Sequence, residues 1–328
     1  MSGAGRQEPP PDPAGAALPQ FDVRIAPPDL SAWRAGNTGI PGFTSREGAL
    51  PGPHACVVAL THGNELAGAV VLERLLATGL RPRRGRLTMG FANLAAFDRF
   101  DATQPTASRF LDEDLNRLWH VPMLEEPRRS SELDRAREMR PMIDSVDMLL
   151  DLHSMLWASE ALVLSGETAR GRALAQALGT PPLVVADRGH VSGRRLIDYA
   201  GFTDPRGSRT AVLVEAGQHW EPETVAVAKA SVSGFLRHLD MLDGPPESPV
   251  LAGASRFARV SHAITAATAG FTFLRPYRGG DVVPRADTLI ALDGDTEIRT
   301  PYDDCLLVMP SLRPSRGHTA VRLARFER

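Results

Sequence analysis

The feature that most constrains this chain is an alternation of short, wholly apolar runs with longer stretches of helical period, from about His54 to residue 240. Cys56-Val-Val-Ala-Leu60 is apolar at every position, so both faces of such a strand must be covered. That is the condition of a sheet flanked by helices, not of a half-solvated one. Arg86–Phe91, Met148–His153, Ala161–Leu164, Leu183–Ala186 and Thr210–Glu215 are further apolar-rich strand candidates, some ending in a polar residue. Between them, Ala69, Leu72, Leu75 and Leu76 fall at helical spacing, and so do Leu133, Ala136, Met139 and Ile143. Ser131 and Asp134 have the spacing of a capping box and are expected to open the second of these helices. Further helices are expected at about 168–178 and 223–240. The chain is therefore expected to hold an α/β core.

The ends differ in kind. Residues 1–20 are rich in Pro, Gly and Ala and are expected to form a disordered tail. The core unit is placed at 21–243. Gly244-Pro-Pro-Glu-Ser-Pro249 is the expected linker. Beyond it short β-like runs alternate with turns and no long helical period appears, so 250–328 is read as a small all-β domain. A formal net charge of −2 gives no reason to expect a nucleic acid or an anionic membrane as partner. The two cysteines, Cys56 and Cys305, form neither a disulfide framework nor a cysteine zinc site. No signal-peptide pattern or membrane-length apolar run is seen, which makes a cytoplasmic protein the expectation. Homo-oligomerisation is left open.

Four sequence features bear chemistry. Thr61-His-Gly-Asn-Glu65 follows a buried strand, where α/β sheets place ligand sites. Its His62 and Glu65 are close enough to converge on one ion, or Glu65 simply suits a helix N-terminus. Asp151-Leu-His153 ends a strand with both polar residues on one face. His153 is then either a metal ligand oriented by Asp151, or a core histidine bonded to a carbonyl. Glu215 ends the run Val212-Leu-Val and is either a base with a raised pKa or a solvated strand-end residue. The polar run Arg109-Phe-Leu-Asp-Glu-Asp-Leu-Asn-Arg117, preceded by Asn93, is either a solvated loop or a substrate loop. In the second case its guanidiniums would grip carboxylates and steady a developing oxyanion.

In this order, His-x-x-Glu, Arg-x-x-Asp-x-Asp-x-Asn-Arg, Asp-Leu-His and Val-Glu-x-Gly resemble the motifs of the succinylglutamate desuccinylase/aspartoacylase family, a branch of the zinc carboxypeptidase-like (M14) hydrolases. The resemblance covers roughly residues 50–240. It implies a zinc-carboxypeptidase-like mixed sheet flanked by helices, one Zn²⁺ per chain held by His62, Glu65 and His153, and a small N-acyl amino acid as substrate. It also implies that Glu215 activates water and protonates the leaving amine, and that Arg109 polarises the carbonyl. Asn116 and Arg117 would hold a substrate carboxylate, while Asp112 and Asp114 shape the loop. A further substrate arginine is expected upstream of Glu215, with Arg206 and Arg209 both available. Tyr302 and Tyr277 are candidates for the family's C-terminal pocket aromatic, and Trp157 for a pocket wall or a core residue. The alternatives are a metallocarboxypeptidase acting on peptides and a non-catalytic zinc-binding homologue.

Overall fold

The computed structural model describes residues 20–190, 192–243, 251 and 253–327. The expected tail and linker fall almost wholly outside these residues. In chain order the strands are β1 (Phe43–Glu47), β2 (Leu50–Ala59), β3 (Arg84–Phe91), β4 (Met148–Met155), β5 (Leu162–Leu164), β6 (Leu183–Ala186) and β7 (Thr210–Gln218). They are followed by β8 (Arg256–Thr265), β9 (Phe271–Phe273), β10 (Val282–Val283), β11 (Leu289–Asp293), β12 (Thr296–Arg299), β13 (Cys305–Val308) and β14 (Thr319–Glu327). The helices are α1 (Leu66–Ala77), α2 (Leu94–Phe97), α3 (Val121–Glu125), α4 (Ser131–Ser145), α5 (Ala169–Ala177), α6 (Ala200–Thr203) and α7 (Pro222–His238).

One 11-stranded sheet runs β1-β3-β2-β4-β7-β5-β6-β8-β14-β13-β10. Its centre, β3-β2-β4-β7, is parallel, and β1 and β5 join antiparallel. The apolar runs fill both faces because successive side chains point to opposite sides. Ala55, Val57, Ala59, Leu150, Leu152, Val212 and Val214 pack with α1, α5 and α7 in one cluster. Cys56, Val58, Leu149 and Leu213 pack on the other side with Leu133, Ala136, Met139 and Ile143 of α4.

The structure corrects one expectation. The cap of α4 is Ser130, whose hydroxyl accepts from Leu133 N at 3.0 Å, one residue before the expected Ser131. Beyond the linker the described elements are all strands, as expected, and they divide between two sheets. β8 pairs parallel with β6, and β14, β13 and β10 continue the main sheet antiparallel; β12-β11-β9 forms a separate three-stranded sheet over a third apolar cluster. The backbone edge of β6 requires a partner, and β8 supplies it. Among the described residues no helix is long and apolar enough to cross a membrane.

Candidate active site

β2, β4 and β7 are neighbours and parallel, so their C-terminal ends open together. The turn after β2 carries His62 and Glu65, with Glu65 N donating to His62 O at 3.2 Å just before α1. Gly63 is required there: a Cβ would lie 2.5 Å from backbone atoms of Ala96 and Phe97 and 2.6 Å from Ser108 O. On β4 and β7, Asp151, His153 and Glu215 share parity with Leu149 and Leu213 and so point toward the α4 face. His153 and Glu215 are direct cross-strand partners.

These elements bring the expected residues of the turn and the two strand ends together. His62 Nδ1 lies 2.7 Å from Glu65 Oε1, and His153 Nδ1 lies 3.0 Å from Glu65 Oε2. Each second ring nitrogen meets another carboxylate, His62 Nε2 at 2.9 Å from Asp114 and His153 Nε2 at 2.9 Å from Asp151. Asp151 in turn accepts from the Thr61 hydroxyl at 3.0 Å. Ligand atoms of His62, Glu65 and His153 all lie within 4.8 Å of one another, and all three residues are buried. Two imidazoles and a carboxylate are a donor set that suits zinc, and carboxylates behind the imidazoles orient them as metal-ligating histidines are oriented.

The charges follow from this packing. Burial pushes the Glu65 carboxyl up, but the His62 and His153 charges outweigh it and hold the group well below its ordinary value. Burial would also lower His153, yet Asp151 and Glu65 raise it well above the ordinary histidine value. Protonated, His153 supplies positive charge beside Glu65. Glu215 behaves oppositely: burial, assisted by the charges of Glu65 and Asp151 against those of His153 and Arg109, pushes its pKa up to about 8. Its Oε2 is buried without a hydrogen-bond partner. A carboxyl so placed gains a partner only from something that enters the cavity.

The loop 109–117 is held by Glu132, a residue that carries no motif. This carboxylate, 0% exposed, accepts from Leu111 N at 2.7 Å, Asp112 N at 3.0 Å, Glu113 N at 3.2 Å and the Asn93 amide at 3.0 Å. Asp112 clamps the same loop to α4 through Ser131 N at 2.7 Å, and Asp114 accepts from Asn116 N at 2.8 Å. Arg109 is thereby carried to the cluster, 3.2 Å from Asp114 and 3.4 Å from Glu65. Asn116 receives Leu196 N on its Oδ1 at 2.8 Å. Burial lowers Arg117 to about 10, against the pull of Asp114.

His62, Glu65, His153, Glu215 and Arg109 line one cavity of about 160 Å³, with Asn116, Arg117 and Trp157 also in its wall. Arg206 and Arg209 do not reach it. Arg206 is exposed, and Arg209 donates to the carbonyls of Val146 (2.8 Å) and Ile143 while its guanidinium covers the Phe202 ring. Tyr302 bonds Ser261 at 2.6 Å and Tyr277 packs in the third apolar cluster, both away from the cavity. Other residues stand where sequence reasoning placed none: His190, Arg195 and Arg322, and a buried Ser154 Oγ–His219 Nδ1 pair at 2.7 Å. Burial lowers His219 to about 4, so it is neutral at pH 7. Its position four residues past Glu215, on the same strand-end face, was a usable signal. For Arg322, 107 positions beyond Glu215, there was none.

The comparisons agree with this architecture. The structure of a succinylglutamate desuccinylase from Vibrio parahaemolyticus matches with a TM-score of 0.67 at 18% identity, over 88% of this chain and 87% of that one. A succinylglutamate desuccinylase/aspartoacylase from Rhodobacter sphaeroides gives 0.64 at 22% identity, over 88% and 89%. The product-bound ectoine utilization protein EutE (DoeB) from Ruegeria pomeroyi gives 0.62 at 20%, over 86% and 88%. These likenesses establish the fold. No curated protein matches the chain. The model of the succinylglutamate desuccinylase/aspartoacylase catalytic domain, however, matches residues 51–239, more than half of the 328 residues, and all four motifs lie inside that span. The chain belongs to the succinylglutamate desuccinylase/aspartoacylase family of hydrolases.

Proposed function

We propose that this protein is a zinc-dependent amidohydrolase that removes the acyl group from an N-acyl amino acid or a close relative. The observation that carries the reading is Glu215: a buried carboxyl with an unpartnered oxygen, in register with His153 beside a three-residue metal-type donor set. His62, Glu65 and His153 would hold one zinc ion, which when bound polarises a carbonyl and acidifies water. Once ionised, Glu215 takes a proton from the attacking water and delivers it to the amide nitrogen as the C–N bond breaks, yielding a carboxylic acid and a free amine. Arg109, fixed by Asp114, turns its guanidinium toward the oxygen that becomes negative when the carbonyl is attacked. Asn116 and Arg117 bind the substrate's carboxylate. A cavity of about 160 Å³ suits a small molecule better than an extended peptide.

The test is a screen of N-acetyl, N-succinyl and N-aroyl amino acids, with short peptides in parallel, against zinc-loaded protein. Release of free amino acid from one acyl class is the expected result. Cleavage of peptides alone would replace the proposal with a carboxypeptidase, and absence of all turnover with a non-catalytic binder.

A further inference from the structure

Opposite its charged groups the cavity has an apolar side, which includes Leu156, Trp157, Leu164 and Met309. Leu156 and Trp157 belong to the segment that leaves β4 just past His153. Trp157 is half-buried and lines the cavity, so it is a wall residue, not a core one. Its segment is clasped on two sides by parts of the chain outside the matched residues 51–239. On one side Gly279 N donates to Ala158 O at 3.1 Å, and Glu160 N donates to Gly279 O at 2.7 Å. A Cβ on Gly279 would stand 2.0 Å from Ser159 Oγ, so only glycine allows this approach. Glu160 is further paired with Arg256 of β8.

The other side is held by the N-terminal segment Phe21–Ile25. Its odd residues, Phe21, Val23 and Ile25, are half-buried against the main core, while Asp22 and Arg24 are exposed. That alternation is the period of extended chain on an apolar surface. Arg24 pins the segment, its N donating to Trp220 O at 3.1 Å and its guanidinium meeting Glu221 at 3.1 Å. Phe21 is thereby set between two indoles. It stands edge-on to Trp157, with centroids 5.8 Å apart and planes at 67°, and edge-on to Trp220 at 5.9 Å and 62°. The two indoles are not alike. Trp220 is buried, with its Nε1 donating to Asn64 O at 2.9 Å, and it also carries the cavity residue His219 at 5.1 Å. Trp157 has the cavity on one side, and Phe21 transmits the fixed position of Trp220 to it.

We infer that Phe21 is a positioning residue: acting through Trp157, it fixes an aromatic wall that selects substrates carrying a planar apolar group on this side of the cavity. The substrate class rests on the deacylase reading, but binding to the wall does not. A flat ring recognises another by stacking or edge contact. A ring already held in place loses little freedom when a ligand arrives, so the brace favours binding without touching the ligand. The reacting groups His62, Glu65, His153 and Glu215 make no contact with Phe21 among the interactions described above, so the brace tunes what is bound and leaves the reaction centre as it is.

The test is calorimetry on the zinc-loaded full chain in a Glu215→Gln background, so that binding is read without turnover. The probes are N-acetylglycine, N-benzoylglycine and N-acetyl-L-phenylalanine. They carry no ring, a ring on the acyl side and a ring on the amino-acid side of the amide. The parent is expected to hold one aromatic probe at least about tenfold more tightly than N-acetylglycine. Phe21→Ala should weaken that probe about five- to tenfold and change N-acetylglycine less than about twofold. Phe21→Tyr keeps the ring edge and should restore the parent value. In a Trp157→Ala background Phe21→Ala should cost nothing more, because the ring through which it acts is gone. Trp157 emission, taken as the difference between each protein and its Trp157→Phe counterpart, should move to longer wavelength in Phe21→Ala. If Phe21→Ala folds poorly, Phe21→Leu keeps the apolar anchor without the ring edge and carries the same expectation. A parent that holds neither aromatic probe more tightly than N-acetylglycine overturns the wall. Unchanged binding in Phe21→Ala, equal weakening of all three probes, or a further loss in the Trp157→Ala background overturns the positioning role. The deacylase reading fails separately, if wild-type zinc-loaded protein binds these probes but cleaves no N-acyl amino acid.

Discussion

Replacing Glu215 by Gln keeps the shape of the side chain and removes its titration, so it separates two consequences of one burial. In the unfolded chain the carboxyl titrates at its ordinary 4.5, and in the folded, metal-free protein at about 8. Between those values the native state holds a proton that the unfolded state has lost. Stability therefore falls as pH rises through this window, at about 1.4 kcal/mol per pH unit. Below 4.5 both states are protonated and the group costs nothing. By pH 7 the accumulated penalty is on the order of 3 kcal/mol, and it levels off above pH 8 near 5 kcal/mol. Glutamine carries no such penalty.

The expected result is that metal-free Glu215→Gln and wild type unfold alike near pH 4.5, and that the variant becomes the more stable as pH rises to 8. Urea unfolding at half-unit pH steps on chelator-treated protein measures this difference. On the reaction side, the variant should lose about 10²- to 10⁴-fold in kcat while binding zinc as the parent does, because an amide cannot relay a proton. A stability difference that stays flat from pH 4.5 to 8 would refute the burial argument. Activity retained by the variant would refute the role as base.

Asp151→Asn should weaken zinc binding about 10- to 100-fold by loosening His153, read by competition with a chromogenic chelator; an unchanged affinity would show that the Asp151–His153 contact orients nothing. Glu132→Ala leaves three backbone N–H groups of the loop without their acceptor and is expected to cost about 3–5 kcal/mol, with faster hydrogen exchange at residues 111–113. A loss below about 1 kcal/mol would mean that water replaces the carboxylate. Arg109→Lys keeps the charge but loses the planar fork, and kcat should fall about 100-fold with little change in KM. A pure KM effect would move Arg109 from the reacting carbonyl to ground-state binding.

What the sequence disclosed and what it withheld divide along one physical line. The strands were legible because burial on both faces leaves no polar position to confuse the pattern: Leu183–Ala186 matches residue for residue, and β7 only extends past Glu215 to Gln218. The metal-type cluster was legible because each pair is local. His62 and Glu65 share one turn and Asp151 and His153 one strand end, so spacing alone limits where the side chains can go. Arg195 and Arg322, also in the cavity wall, have no such local signature. They meet at Asp187 only because β8 pairs with β6 and β14 with β8, and strand pairing over that distance is not encoded in any short window. Arg206 and Arg209 drew attention by lying near Glu215 in sequence, but Arg209 instead braces the end of α4 through carbonyls. The strand-end groups His153 and Glu215 are thus set by the fold's parallel centre, whereas Arg322 comes from a strand added to its edge.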